Sequence, residues 1–323
     1  MRIAVAGSIA TDHLMSFDGR FAEQIIPEQI QQLSLSFLID ELDVRRGGVA
    51  ANICFGLGAF GLSPVLVGAA GADFEDYRSW LDRHGVDTSH VYISELRHTA
   101  RFICTTDRDQ NQIASFYAGA MAEARNIELQ PIADRLGGLD LVLIGADDPA
   151  AMVRHSEECR TRGIRFAADP SQQLARMEGP EVRSLVEGAD LLFANEYEKA
   201  LAEQKTGWSE ADILERVGTR VTTLGAKGVR IDRKGEPSIH VPAAAVGEPV
   251  DPTGMGDAFR AGFLAAHSWG LSLERAAQVG NATAVHCLEA DGPQEYTLSA
   301  DSLVDRLERS YGAAAAAEVR PFL

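Results

Sequence analysis

Short apolar runs recur along the chain at residues 3–6, 65–68, 139–144, 164–168 and 191–194, each bounded by Gly, Asp or Pro. They show no polar alternation, which suits strands buried on both faces of a sheet. Between them lie segments of helical period at 76–84, 149–162, 180–187 and 209–217. The last third adds 257–269, 273–288 and 299–311, and the alanine run 313–317 reads as a terminal helical turn. Strand and helix in alternation predict an α/β core with a mostly parallel sheet flanked by helices. Two stretches break the rhythm. Residues 33–44 and 99–117 alternate apolar and polar positions, the mark of half-exposed antiparallel strands. They predict a small sheet projecting from the core, made from two separated pieces of chain. Residues 230–242 read as a hairpin turning at Lys234-Gly235.

Several polar positions punctuate this pattern. The strongest is Asp251-Pro-Thr-Gly254-Met255-Gly256-Asp257, which opens the helix expected at 257–269. Gly254 and Gly256 let backbone approach a ligand closely. Amides at a helix N-terminus form an anion site, so the N–H groups of residues 254–257 are placed to hold a phosphoryl group. A carboxylate there would repel that group unless it is a base taking a proton from the hydroxyl that attacks it. Asp257 is equally well an N-cap or first-turn acid drawn by the helix dipole.

Arg45-Arg46-Gly47-Gly48-Val-Ala-Ala-Asn52 permits a tight turn against a ligand, and the Asn52 amide can donate to and accept from paired hydroxyls; alone, a glycine turn with an Asn cap is the simpler account. Asp12 follows the loop after the first strand, where doubly wound sheets gather ligands. It is a hydroxyl acceptor or a solvated loop acid. Asn195 and Glu198 share a helical turn after the 191–194 strand. They are an oxygen pair for a largely hydrated Mg²⁺, or ordinary helix-start residues. Thr222-Thr223-Leu-Gly225-Ala-Lys227-Gly228 exposes backbone on which a nucleotide can lie, with Lys227 either meeting phosphate or solvated. Gly56-Leu-Gly58-Ala-Phe-Gly61 matches a dinucleotide fingerprint but follows a helix instead of a strand, so packing accounts for it. No GxxxxGK[ST] P-loop occurs.

Charge narrows the partners. With 47 acidic and 30 basic residues the formal charge is −17, the wrong sign for a protein that neutralises nucleic-acid phosphates. No apolar run approaches the ~20 residues of a membrane span. The first residues read as a strand, too short for a signal segment. Four scattered cysteines without a CxxC pair, and histidines without metal spacing, point to reduced thiols in a cytoplasmic protein holding no transition metal.

Together and in this order, the five patterns resemble the PfkB (ribokinase-like) family of sugar and nucleoside kinases. Gly47-Gly48…Asn52 looks like its N-terminal motif, Asp251…Asp257 like its anion-hole motif and Asn195…Glu198 like its NxxE magnesium motif. Stretches 7–14, 35–38, 168–176 and 205–212 are similar to those of the actinobacterial-type adenosine kinases within it. The resemblance implies a Rossmann-like core of residues 1–10, 46–94 and 119–323 with the ATP and catalytic site. It also implies a small β lid of residues 11–45 and 95–118 that forms a homodimer contact. The implied reaction moves the ATP γ-phosphoryl group to the 5′-hydroxyl of adenosine, giving AMP in purine salvage.

Asp257 is then the base, and the amides at Gly254, Met255 and Gly256 stabilise the moving charge. Asp12, Gly48 and Asn52 hold the ribose. Asn195 and Glu198 act on Mg²⁺ through water, and Thr223, Gly225, Lys227 and Gly228 line the ATP site. Asp251, with the loop 289–295, resembles a monovalent-cation position, implying K⁺ activation. Phe102 and Phe116 are placed to stack on adenine or to pack the lid, and Ser8, Ser36, Gln172 and Gln173 offer neutral contacts to the base. Few Lys or Arg lie in these motifs, so ATP attraction is expected from amides, exposed backbone and Mg²⁺. A ribose- or fructose-type sugar kinase and a non-catalytic nucleoside sensor are the alternatives.

Overall fold

The computed structural model of the chain describes residues 1–25, 31 and 35–323. Its strands are β1 (Ile3–Ala6), β2 (Ala10–Phe17), β3 (Glu41–Gly47), β4 (Val65–Val67), β5 (Ala69–Gly71), β6 (Tyr92–Ser94), β7 (Ala100–Asp107), β8 (Gln112–Tyr117), β9 (Leu141–Ile144), β10 (Phe166–Ala168), β11 (Leu191–Asn195), β12 (Thr219–Thr223), β13 (Val229–Asp232) and β14 (Ile239–Val241). Its helices are α1 (Phe21–Gln24), α2 (Val49–Ala59), α3 (Glu75–Arg83), α4 (Leu129–Leu136), α5 (Pro149–Arg162), α6 (Gly179–Val186), α7 (Glu196–Thr206), α8 (Glu210–Leu214), α9 (Met255–Ser268), α10 (Leu273–Leu288), α11 (Ala300–Tyr311) and α12 (Ala313–Val319).

Eight strands form one sheet in the order β14-β13-β12-β11-β10-β9-β1-β4. From β12 to β4 every pairing is parallel, and β13 and β14 close one edge as an antiparallel hairpin around Gly235. The apolar runs lack alternation because both faces are covered. Val5, Leu143 and Phe193 point into a core shared with α2, α9 and α10. Ala4, Val142 and Leu192 point into a second core with α4, α5 and α6. This is the mostly parallel α/β sandwich the sequence predicts. Among the described residues no helix is long and apolar enough to cross a membrane.

The second sheet has four strands, β3-β2-β7-β8, and a parallel β5–β6 pair is separate. Here the sequence pattern misleads in part. The alternation at 33–44 yields a strand only from Glu41, and residues 33 and 34 lie outside the described residues. Phe37 instead packs beside Phe17 and Phe21, with centroids 4.8 and 5.5 Å away. The central strand β2 carries no clean alternation, because Thr11, Asp12 and His13 stand where a packed strand would place apolar side chains.

The 99–117 stretch does form the β7–β8 hairpin. Its tip is held by Asp107, which accepts from the amides of Asp109 and Asn111. The final alanine run is a full helix, α12. Gly56 and Gly58 lie inside α2, where a Cβ would strike Ala261 at 2.5 Å and the His84 carbonyl at 2.0 Å. They serve helix packing and no dinucleotide.

Candidate active site

Two cavities open along the ends of the parallel strands and share one wall. The first, of ≈ 440 Å³, is lined by Ser8, Asp12, Gly48, Asn52, Phe102, Phe116, Gln172 and Gln173, with Met121 and Arg176. The second, of ≈ 420 Å³, is lined by Asn195, Glu198, Thr223, Gly225, Gly228, Met255 and Gly256, with Arg260 and Asn281. Asp257 belongs to both.

Backbone geometry explains the shared wall. Gly254 caps α9 at φ +79°, and a Cβ there would sit 2.4 Å from Pro293, so this left-handed turn needs glycine. The helix starts at Met255, two residues earlier than the periodicity predicts, and Asp257 lies within its first turn, making no capping bond. That removes the N-cap account of the residue. A glycine cap has no side chain to occupy the first-turn amides, which leaves them for a ligand. Gly48 caps α2 with a left-handed turn as well: its φ is +95°, and a Cβ would meet Ser8 and Ala10 backbone at 2.6 Å, but there Ser8 takes the first-turn amides of Val49 and Ala50.

Side chains then converge on Asp257. Asn52 Nδ2 donates to Asp257 Oδ2 at 2.8 Å. Desolvation pushes the Asp257 carboxyl up to about 7, against the pull of Asn52 and Arg260. Burial raises Asp12 to about 6, opposed by Arg45 and reinforced by Asp251. Strand register sets Arg45, Asp12, Phe102 and Phe116 in one row across β3, β2, β7 and β8. Cross-strand neighbours share a face, so this row turns Asp12 and both rings toward the first cavity. Ser8 Oγ accepts from the Val49 amide at 3.0 Å, leaving its own proton free. Gln173 is buried, and its Oε1 has no partner, a group poised for a ligand donor.

Asn195 and Glu198 form a reciprocal capping box on α7, each side chain accepting from the other's amide at 2.8 Å. Burial raises the Glu198 carboxyl. Near it lie Asp169, Asp257 and a single buried cation, Arg260. This surplus of oxygen and negative charge fits a cation. No cluster of three His, Cys, Asp or Glu able to hold a metal occurs among the described residues, so the fit is to a mostly hydrated Mg²⁺ that arrives with phosphate oxygens.

Three expected positions fall elsewhere. Ser36 is exposed on the segment before β3 and lines neither cavity, because the strand predicted there starts later. Lys227 is exposed and lies 3.5 Å from Glu196, turned to solvent. Asp251 is engaged at both oxygens: Arg45 Nη1 donates at 2.8 Å and the Thr253 amide at 2.8 Å. Arg45 also reaches Asp291. A guanidinium therefore stands at the proposed monovalent-cation position, and the donor set does not fit K⁺.

Sequence reasoning missed Arg260, whose Nε and Nη2 grip both Asp169 oxygens at 2.6 and 2.8 Å. Burial works against its charge, but Asp169 outweighs that and keeps it cationic. Its position three residues after Asp257 was a readable signal, since i and i+3 share a helix face. Arg176 and Gln294 were also missed and carry no local pattern.

The comparisons with known proteins bear on the family and the fold. The model of the pfkB family carbohydrate kinases matches residues 14–300. A nucleoside kinase of Methanocaldococcus jannaschii is 30% identical over 310 residues, covering 95% of this chain and 97% of that protein. A structure of Burkholderia thailandensis nucleoside kinase in complex with inosine superposes with a TM-score of 0.82 at 33% identity, covering 96% of this chain and 98% of that one. The same enzyme in complex with ADP-inosine gives 0.81 at 33% identity, covering 96% of each chain. The site thus sits in a familiar frame: the chain belongs to the pfkB family of carbohydrate kinases and is an ATP-dependent kinase of a nucleoside or sugar.

Proposed function

We propose that the chain transfers the γ-phosphoryl group of ATP to the 5′-hydroxyl of a purine nucleoside, with adenosine the acceptor that its motifs imply. One observation carries the reading: Asp257 is the wall common to both cavities. A nucleoside in the first cavity and the ATP phosphates in the second would meet at that carboxylate. Asp257 removes the 5′-hydroxyl proton as that oxygen bonds to the γ-phosphorus and the bond from phosphorus to the departing ADP oxygen breaks, and the amides of Gly254, Met255 and Gly256 receive the charge of the moving phosphoryl group. Asp12, Gly48 and Asn52 hold the ribose hydroxyls. Thr223, Gly225 and Gly228 give ATP a backbone surface. Arg260 adds a fixed cation beside the phosphates. When bound through Asn195 and Glu198, Mg²⁺ neutralises phosphate charge.

The base is read by Phe102 and Phe116 as stacking rings and by Gln172 and the unpartnered Gln173 amide. A primary amide pairs with adenine or hypoxanthine by turning over, so Gln173 alone does not choose. Arg176 favours a second acceptor. This exposed cation on the cavity wall makes no ion pair among the described residues, and a cation suits the carbonyl of a 6-oxopurine. The Burkholderia relative in complex with inosine supports that acceptor. The test is ADP release with Mg²⁺-ATP and a panel of adenosine, inosine, guanosine, ribose and fructose, repeated with EDTA. A nucleoside is expected to lead the panel and EDTA to abolish turnover. Faster turnover of a free sugar would reject the nucleoside reading, and tight nucleoside binding without turnover would make the protein a sensor.

A homodimer through the second sheet is part of the same reading. Leu42, Val44 and Ile113 are exposed and alternate away from the cavity row, an apolar face suited to a second copy. Light scattering that finds only monomer would remove it.

The raised carboxyls set the pH dependence. A base acts only when deprotonated, so kcat/KM is expected to fall as pH drops below about 7, where Asp257 gains its proton. The fall steepens below about 6, where Asp12 also becomes neutral and loses its hold on the ribose. A pH–rate profile flat across that range contradicts both assignments.

A further inference from the structure

We propose that Gln294 is a positioning residue for the transfer, fixing which end of the Asn52 amide faces Asp257. The proposal rests on the reading of Asp257 as the base.

An amide side chain fits its site in two orientations that differ by exchange of oxygen and nitrogen. For Asn52 the difference matters, since one end donates to the Asp257 carboxylate and the other repels it. The structure contains a chain of bonds that settles the choice from a distance. It starts at Trp80, whose indole Nε1–H donates and never accepts. That group donates to Gln294 Oε1 at 3.1 Å, which fixes the Gln294 amide. Gln294 Nε2 must then face the other way, donating to Asn52 Oδ1 at 2.8 Å and to Tyr77 Oη at 2.5 Å. Tyr77 passes its own proton to the Gly47 carbonyl at 2.9 Å, so it is free to accept from Gln294. With its oxygen engaged, Asn52 has only Nδ2 left for Asp257, at 2.8 Å.

Gln294 is 1% exposed and Asn52 6%. A wrong orientation would leave buried donors facing each other and a lone pair against the carboxylate. The relay also joins the turn at Gly47, α2, α3 and the loop after α10, elements far apart in sequence.

Other charged and titratable groups face Asp257. They are Arg260 on its own helix, Asp169 after β10, Glu198 on α7, Cys287 on α10 and Tyr296 beyond it. None of them touches the Asn52 amide among the described hydrogen bonds. Besides the Asp257 carboxylate it serves, the Asn52 amide therefore takes its orientation from Gln294.

The test is a double-mutant cycle read on kcat. Gln294→Met keeps the volume and removes the relay. It is expected to lower kcat on the order of 10- to 10²-fold, the cost of misaligned catalytic groups, while KM for ATP stays near the wild-type value. In an Asn52→Ala background the same substitution is expected to add nothing, because no amide remains to orient. Additive losses in kcat, or a loss confined to KM, overturn the proposal and leave Gln294 a packing residue. Should Gln294→Met fail to fold, Trp80→Phe decides: it keeps a ring against Phe55 and Arg46 and removes the indole N–H together with part of the ring, a packing loss that is the same in both backgrounds. Beyond that shared loss, its effect on kcat must likewise vanish in the Asn52→Ala background. The two readings fail separately. Full activity in Asp257→Asn removes the base, whereas an inactive Asp257→Asn with an additive Gln294 effect removes only the relay.

Discussion

Asp257→Asn is expected to lower kcat by ~10²–10⁴-fold, the usual loss when a general base is removed, without loss of fold. The side chain is half-buried between the two cavities, and desolvation is the main cause raising its affinity for a proton. Replacing it with a neutral side chain of the same shape therefore relieves a desolvation cost. Thermal or denaturant midpoints are expected to match or slightly exceed those of the wild type. ATP binding should survive, because the amides at the α9 N-terminus, the strand-end backbone at Thr223 and Arg260 all remain. The expected signature is thus a protein that binds both substrates and barely turns over. Residual rate would come from positioning and charge stabilisation, which the substitution leaves in place. Calorimetry for ATP and nucleoside beside steady-state kcat measures both halves. A variant within tenfold of wild type would exclude Asp257 as the proton acceptor.

The parts of this site that were legible in the sequence are those written into consecutive residues. Gly254, Gly256 and Asp257 fall within one helical turn, and backbone chemistry alone says what a glycine-capped helix start can hold. The buried parallel strands were legible for a similar reason, since continuous apolar runs have few other uses. β2 was not. Its polar residues Thr11, Asp12 and His13 break the strand pattern, and Asp12 does so because it lines the cavity. A carboxylate facing a cavity masks the strand pattern there.

Contacts between distant residues were invisible for another reason. Asn52 meets Gln294 across 242 positions and Asp257 across 205, and no local spacing encodes such a meeting. Asp251 shows the reverse error. Its motif implied a cation partner, and the fold supplies one from β3 as Arg45. The diffuse acidity of the chain also concealed that the second cavity has its own cation. Arg260 had to be seen beside Asp169 before its charge could be assigned to that wall.

That pair gives the largest expected effect on stability. Asp169 is fully buried, and Arg260 is 5% exposed. Removing one partner of such a pair strands the other charge in a poorly solvating interior, so Asp169→Ala is expected to destabilise the fold by about 3–5 kcal/mol. Glu198 and Asp257 also act on the guanidinium, and their compensation places the value toward the lower end. Freed from Asp169, Arg260 would interact more strongly with Asp257 and favour its ionised form. The acid limb of the kcat/KM profile should therefore move to lower pH in the same variant.

Replacing both partners separates structure from function. In Asp169→Leu with Arg260→Met neither member of the pair is left buried without its partner, and most of the lost stability is expected to return, the remainder reflecting Glu198 and Asp257, which lose the guanidinium. Activity is not expected to return with it, because the second cavity would have lost the cation beside the phosphates. Urea midpoints for the single and double variants, read beside KM for ATP and kcat, test both statements. A double variant that regained stability and also full turnover would make the pair structural alone and leave amides and Mg²⁺ as the whole of the phosphate site.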